Sequence, residues 1–139
     1  MNRHLVVGSW RELGEQAAQV RFVVFIEEQK VPAELELDEL DVECVHALIE
    51  VEGKAVATGR LCPDGRIGRI AVLRDFRALG LGGEIMQALI SAAEQRGQHE
   101  TYLHAQCRAL GFYAQHGYVA EGPEFDEAGI PHRQMRRIA

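Results

Sequence analysis

The stretch Arg77-Ala78-Leu79-Gly80-Leu81-Gly82-Gly83 stands between an apolar run typical of a strand and an amphipathic run typical of a helix. Its three glycines crowd the start of the predicted helix, and without side chains they leave the backbone amides uncovered. The helix dipole adds positive potential at those amides, and Arg77 supplies a cation at the rim. The stretch therefore predicts a binding site for an anion such as a pyrophosphate.

Two widespread phosphate-binding motifs do not fit the spacing of these glycines. A dinucleotide fingerprint needs a third glycine where this chain has Ile85, and a P-loop needs a lysine followed by serine or threonine. Glycines at a strand-to-helix turn also occur where only close packing requires them. That alternative predicts no bound phosphate.

The periodicity of apolar residues predicts an α/β protein with elements in the order β-α-β-β-β-α-β-α-β-β. The strand from Arg66, the helix from Gly82 and the strand from Thr101 form one unit, whose crossover makes the two strands parallel. The glycine turn then lies at the carboxyl end of the first strand, where α/β proteins bind ligands. The predicted strands are 5–7, 45–51, 54–61, 66–72, 101–105, 118–120 and 132–138, and the predicted helices are 12–28, 82–96 and 108–116. The apolar run 22–26 is predicted to be buried, and an acidic loop follows at 32–43.

Length and composition indicate one domain spanning residues 1–139. A net charge of -6 argues against a nucleic-acid partner, because no basic face offsets the phosphates. Three cysteines without a C-x-x-C spacing argue against a zinc site or a disulfide framework and fit a reducing compartment. No segment has the pattern of a signal peptide or the roughly 20 apolar residues of a membrane helix. We therefore expect a cytoplasmic protein with no membrane contact and no metal.

Two motifs together resemble the GNAT family of N-acetyltransferases. Arg77-x-x-Gly80-x-Gly82, with its flanking strand and helix, resembles the acetyl-CoA signature of that family. The stretch Ala109-x-x-Phe112-Tyr113-x-x-x-Gly117-Tyr118 resembles a second signature of the family. Gln106 stands where many members have asparagine. Within that family, several further stretches of the chain resemble the ElaA/YjcF-like branch. They are Arg21-Phe22-Val23-Val24-Phe25-x-x-Glu28-Gln29-x-Val31-Pro32, Glu36-x-Asp38-x-x-Asp41, His46, Leu103-His104-Ala105-Gln106 and Gly129-Ile130-Pro131-His132.

The resemblance implies a fold and an acyl donor. The fold is a single domain with a mixed central sheet of about seven strands flanked by helices, in which the parallel strands splay at the cofactor site. The donor is acetyl-CoA, whose pantetheine would hydrogen-bond along Ile70-Ala71-Val72 and whose pyrophosphate would bind the amides from Ala78 to Gly83. The implied cofactor-binding residues are Ile70, Ala71, Val72, Arg77, Ala78, Leu79, Gly80, Leu81, Gly82, Gly83, Gln106 and Tyr113.

The implied reaction moves an acyl group, acetyl in the first place, to the amine of a small molecule or a peptide. A backbone N–H near Ala71 or Val72 is expected to stabilise the oxyanion that forms when the amine attacks the thioester. Tyr113 matches the general acid of the family, since a phenol with a pKa of about 10 is protonated at neutral pH.

The general base is left open by the sequence. No carboxylate lies in the segment 67–72, so a base within that strand is excluded. His104, near the splayed end of the next parallel strand, is the first candidate because histidine titrates near neutral pH. Glu28, His46 and His132 are other candidates, and proton loss through ordered water is an equal alternative.

The acidic stretch offers contacts for a cationic acceptor, although a solvated loop explains most of its side chains equally well. The candidate substrate residues are Glu28, Glu36, Asp38, Asp41, His46 and His132. A non-catalytic module that binds acyl-CoA is the alternative function, and it would need the glycine turn but not Tyr113. The resemblance also leaves a homodimer open.

Overall fold

Seven strands and four α-helices lie within residues 2–138, the part of the chain that the computed structural model describes. The strands are β1 Arg3–Ser9, β2 Val45–Val51, β3 Lys54–Leu61, β4 Ile67–Val72, β5 Glu100–Gln106, β6 Val119–Glu127 and β7 Ile130–Ile138. The α-helices are α1 Trp10–Arg21, α2 Ala33–Glu36, α3 Leu81–Gln95 and α4 Leu110–Ala114, with a π-helix at Phe22–Glu28 and 3-10 turns at Glu39–Glu43, Arg74–Phe76 and Cys107–Ala109. None of the helices in these residues is long and apolar enough to cross a membrane.

The predicted α/β class and the order of the main elements are confirmed, but the sheet differs from the prediction. Hydrogen bonding divides the strands into a four-stranded sheet, β1-β2-β3-β4, and a three-stranded sheet, β5-β7-β6. Strands β4 and β5 run parallel, yet within residues 2–138 the two are joined by a single bridge, between Tyr102 of β5 and Arg66, the residue just before β4. The expected continuous sheet is therefore interrupted at the place where the two strands splay.

A β-bulge in β4 bends the strand beside this gap. Arg60 pairs with Gly68 and Thr58 pairs with Ala71, so two residues of β4 lie opposite Gly59 of β3. The first of them, Arg69, has a φ of 54°, a left-handed conformation that is costly for a residue with a side chain. The bulge turns the carboxyl end of β4 away from the neighbouring strand.

Helix α3 packs across β2 and β3 and closes the larger core. Its side chains Ile85, Met86 and Leu89 are buried there. Gly97 ends the helix as the sequence predicts. Its N–H donates to the carbonyl of Glu94, and that of Gln98 donates to Ala93, which is a Schellman motif.

Helix α1 begins earlier than predicted and does not continue as an α-helix to Glu28. Ser9 and Glu12 form a capping box at its start, which the predicted start at Glu12 overlooked. From Phe22 onward the backbone is a π-helix. Only one side of that helix faces the sheet, so Phe22 and Val23 are 51% and 41% exposed, and the predicted burial of residues 22–26 is wrong for them.

Strand β6 is much longer than the sequence pattern indicated. Gly122 and Pro123 follow the end of the predicted strand 118–120, but they lie in a bulge of β6, where the register shifts between Glu121 and Phe125. Proline is tolerated there because β6 is an edge strand of its sheet. The connection between β6 and β7 is the two-residue turn Ala128-Gly129, where both residues have positive φ.

Gly59 leaves room for the bulge to pack against α3. A Cβ atom at Gly59 would lie 2.5 Å from Ile70 Cδ1 and 2.7 Å from Ile85 Cγ2.

We predict that Gly59→Ala lowers the free energy of unfolding by about 1–3 kcal/mol, because the added methyl overpacks this contact. Urea denaturation measures the change. Gly68→Ala is the matched control, since nothing lies within 4 Å of the added methyl. Equal stability of the two variants would contradict the packing argument.

Candidate functional site

An open cavity of about 1070 Å³ occupies the gap between β4 and β5. Its walls come from β4, the glycine turn, α4, the π-helix and the β6–β7 hairpin. Most predicted site residues line this cavity, namely Glu28, Glu36, Asp38, Ile70, Ala71, Val72, Arg77, Ala78, Gly80, Gly82, Gly83, His104, Gln106, Tyr113 and His132. The side chains of Leu79, Leu81, Asp41 and His46 do not.

The glycine turn presents a row of unused amides. Ala78 and Gly80 have φ values of 65° and 82°, and the first helical hydrogen bond of α3 runs from Glu84 N–H to the carbonyl of Gly80. Within residues 2–138, none of the N–H groups of residues 78–83 has a protein hydrogen-bond acceptor. Such an array at a helix N-terminus is a binding site for phosphate groups.

Arg77 joins the glycine turn to the π-helix. Its guanidinium forms two hydrogen bonds to the Glu28 carboxylate, at 2.7 and 2.8 Å, and its Nε donates to the carbonyl of Val72 at 2.9 Å. This hydrogen bonding by Arg77 lowers the pKa of Glu28, so that the carboxylate is a weaker proton acceptor. Arg77, which is predicted to bind the pyrophosphate, is thus ion-paired with Glu28, one of the predicted candidates for the general base.

The carboxyl end of β4 has one free edge. Ala71 and Val72 pair with β3 on one side, while on the other side the described bridge to β5 lies at Arg66, before β4 begins. The backbone from Ile70 to Val72 therefore faces the cavity rather than a neighbouring strand. An extended ligand can add to such an edge as a further strand.

Tyr113 lies on α4, and this short helix packs directly on the glycine turn. A Cβ atom at Gly82 would come within 3.3 Å of the Phe112 ring, and the Phe112 and Tyr113 rings are 5.0 Å apart. Burial, with a smaller contribution from Tyr118, raises the pKa of Tyr113 to about 12. The phenol therefore stays protonated at neutral pH, as a proton donor must.

Gln106 connects β5 to the end of the π-helix. Its Nε2 donates to Gln29 Oε1 at 3.0 Å, and its Oε1 accepts from Arg108 Nε at 2.9 Å. These contacts hold the side of the cavity that faces the free edge of β4.

Besides Glu28, which pairs with Arg77, three of the predicted acceptor contacts pair with arginines. Arg21 bonds to Glu36 and Asp41, Arg60 bonds to Asp38 and Asp41, and Arg69 bonds to the Glu36 carbonyl and to Asp38. Arg21, Glu36, Asp41 and Arg60 are buried. We name these six residues the arginine–carboxylate network. Its three positive and three negative charges balance, so these carboxylates offer no net attraction to a cationic acceptor.

The four candidates for the base differ in position. His46 is buried outside the cavity, with Nε2 2.9 Å from the Asp41 carbonyl, and burial lowers the pKa of His46. His104 and His132 line the cavity on either side of Glu127, which lies outside the predicted strands. Within residues 2–138, no group of three or more His, Cys, Asp or Glu side chains is arranged to hold a metal ion.

Family comparison agrees with the fold and the cavity. The sequence model described as an acetyltransferase (GNAT) domain matches residues 11–139. The chain therefore belongs to the GNAT family, whose members are acyl-CoA-dependent N-acyltransferases. The uncharacterized N-acetyltransferase YjcF of Bacillus subtilis is 43% identical over 136 residues, which cover 95% of this chain and 97% of that protein.

Solved structures show the same architecture over nearly the whole chain. An acyl-CoA N-acyltransferase from Pseudomonas aeruginosa superposes with a TM-score of 0.88 at 30% identity and covers 98% of this chain and 99% of its own. Escherichia coli ElaA has a TM-score of 0.88 at 25% identity with the same coverage. An N-acetyltransferase of the ElaA/YjcF type is thus supported by both sequence and structure.

The arginine–carboxylate network is expected to make the stability of the fold depend on pH in the acid range. Hydrogen bonding by Arg60 lowers the pKa of Asp38 from 3.8 to about 2. A lowered carboxyl pKa stabilises the fold above the unfolded value, and this stabilisation is lost as the pH falls toward the folded value. We predict that the free energy of unfolding falls between pH 4 and pH 2, and that Asp38→Asn makes this fall smaller.

Urea denaturation across this pH range measures the effect. Asp126→Asn serves as the control, because Asp126 is exposed and no described residue forms a salt bridge with it. The ion pair would contribute nothing to acid stability if the Asp38 variant and this control followed the same pH dependence.

Proposed function

We propose that the protein transfers acetyl from acetyl-CoA to a primary amine of a small molecule or a peptide, with residues 1–139 acting as one catalytic domain. One observation carries the proposal: the cavity that contains Tyr113 and His104 is also lined by the free edge of β4 and by Ala78, Gly80, Gly82 and Gly83, whose amides are unbonded. A phosphate site, a strand edge, a proton donor and a proton acceptor are the parts that such a transfer needs.

The donor end of the cavity fits coenzyme A. The amides of residues 78–83 and the guanidinium of Arg77 would hold the pyrophosphate, since both are hydrogen-bond donors at the positive end of α3. The edge from Ile70 to Val72 would bind the pantetheine amides. Acetyl-CoA supplies an acyl group that is activated as a thioester. A backbone N–H at Ala71 or Val72 would stabilise the negative charge that develops during attack.

Tyr113 would protonate the departing thiolate. Its high pKa keeps the proton on the phenol until a strong base forms beside it. His104 would accept the proton that the attacking amine loses, because it lines the cavity while His46 does not. Glu28 is the weaker candidate, since Arg77 occupies both of its oxygens.

The proposed activity is tested by following thiol release from acetyl-CoA with spermidine, lysine, kanamycin and a peptide with a free N-terminus. Turnover with any of these amines supports the proposal and names the acceptor class. Calorimetric binding of acetyl-CoA without turnover of any amine would favour a non-catalytic acyl-CoA-binding module.

Arg77→Gln is expected to weaken acetyl-CoA binding about tenfold, because one charge-assisted hydrogen bond is lost at the pyrophosphate. Isothermal titration calorimetry measures the change. Arg74→Gln is the matched control, since Arg74 belongs to the same turn but is mostly exposed and lies 3.7 Å from its nearest carboxylate. Equal affinities of both variants would remove Arg77 from the phosphate site.

Tyr113→Phe is expected to lower kcat by about 10²- to 10⁴-fold, the usual contribution of general acid catalysis, and to leave acetyl-CoA affinity nearly unchanged. In the unmodified protein, ionisation of Tyr113 should reduce turnover only as the pH approaches 12. Steady-state kinetics and calorimetry measure both quantities. Tyr118→Phe is the control, since its hydroxyl bonds to Thr101 at 2.7 Å and does not line the cavity. Undiminished turnover without the Tyr113 hydroxyl would exclude it as the acid.

A further inference from the structure

Glu127 lies at the end of β6 and places its carboxylate between two imidazoles of the cavity wall. Its Oε1 is 3.1 Å from His104 Nδ1, and its Oε2 is 3.5 Å from His132 Nε2. Arg66, on the turn before β4, approaches Oε1 at 3.5 Å. Residues from β5, β6, β7 and the turn before β4 therefore meet at one carboxylate.

The hydrogen bond to Glu127 determines which nitrogen of His104 is free. An ionised carboxylate only accepts hydrogen bonds, so the proton of the neutral His104 ring is on Nδ1. Nε2 then carries the lone pair, and within residues 2–138 it has no hydrogen-bond partner. The side chain of His104 is 21% exposed and lines the cavity. This is the tautomer that a base at this position needs.

The two other histidines that the sequence marks as candidates for the base, His132 and His46, lack such a nitrogen. His132 Nδ1 donates to the Ile130 carbonyl at 2.7 Å, and its Nε2 faces Glu127. His46 Nε2 is engaged by the Asp41 carbonyl in a buried position. Among these histidines, His104 alone combines a carboxylate on one nitrogen with a free nitrogen on the other.

The ring of His104 is also held by its neighbours. Phe125 packs edge-on against it with ring centroids 5.1 Å apart, and Tyr102 lies 6.3 Å away on the same strand. Burial alone would raise the pKa of Glu127, but the hydrogen bond from His104 and the charge of Arg66 lower it, which keeps the carboxylate ionised. Both oxygens of Glu127 face cationic or donor groups, so Glu127 itself is a poor proton acceptor.

We propose that Glu127 is the positioning residue for His104, fixing its Nδ1–H tautomer and aiming Nε2 at the acceptor amine. The inference rests on the proposed function, in which His104 receives the proton of the amine. Carboxylates hold the base in this way in hydrolytic triads, where the wrong tautomer lowers turnover by orders of magnitude.

The first test needs no acceptor. Nitrogen NMR of protein labelled with ¹⁵N-histidine reports which ring nitrogen carries the proton in the neutral form. We expect the Nδ1–H tautomer in the unmodified protein and a shift toward Nε2–H in Glu127→Ala. Asp126→Ala is the matched control, because Asp126 is the preceding residue on β6, is exposed and does not line the cavity. An Nε2–H tautomer in the unmodified protein, or no shift in the Glu127 variant, would overturn the proposal.

The second test is a double-mutant cycle with acetyl-CoA and whichever of spermidine, lysine, kanamycin or the peptide reacts fastest. We expect Glu127→Ala to lower kcat roughly 10- to 100-fold with little change in KM, and His104→Gln to lower it by about 10²-fold or more. The double variant should be no slower than His104→Gln, because Glu127 acts through the ring. Independent, multiplicative losses would overturn the proposal.

The two proposals fail in different ways. Unchanged turnover in His104→Gln would remove His104 as the base and leave the NMR result to decide whether Glu127 holds the ring. Glu127→Gln, which keeps the size of the side chain, and melting curves of every variant separate loss of positioning from loss of fold.

Discussion

The parting of β4 from β5 is the constraint on which the rest of the site depends. Parallel neighbours normally continue to pair, but here one bridge joins Tyr102 of β5 to Arg66, just before β4, and the two strands then separate. The bulge at Arg69, which the missing side chain of Gly59 makes room for, bends β4 out of the common sheet. The protein thereby gives up several strand hydrogen bonds and leaves the backbone edge of β4 open to a ligand. A strand edge inside a cavity is protected from the aggregation that exposed edges invite.

The turn proposed to bind phosphate and the helix that carries the proposed general acid pack directly against each other. The Phe112 ring lies against Gly82, so the helix that carries Tyr113 is positioned by the turn that would hold the phosphates. A larger residue at Gly82 would push α4 away as well as cover the amides. In the proposed function the same glycine would bind phosphate through its exposed N–H, and its missing side chain sets the position of α4. The packing-only explanation and the binding explanation of the glycine turn are complementary.

Local signals in the sequence predicted the fold well where turns and caps decide it. The hairpin at Glu52-Gly53 and the end of α3 at Gly97 have the predicted positions, since glycine chemistry determines both. Features that depend on distant residues were missed. Pro123 looked like a loop residue because its place on an edge strand is known only from the sheet. The sequence did not predict Glu127 as a site residue, because its neighbours come from other strands and no local pattern marks it.

The pairing of β5 has a consequence for biosynthesis. Strand β5 carries His104 and Gln106, but its ladder of hydrogen bonds runs to β7, from Glu100 opposite Ile138 to Gln106 opposite His132. The strands of the four-stranded sheet all lie within residues 3–72, and α3, which closes their core, ends at Gln95. The wall that holds the histidines must wait for β7 to leave the ribosome. A nascent chain would thus contain every residue of the four-stranded sheet and of α3 before it contains the strand that completes the site.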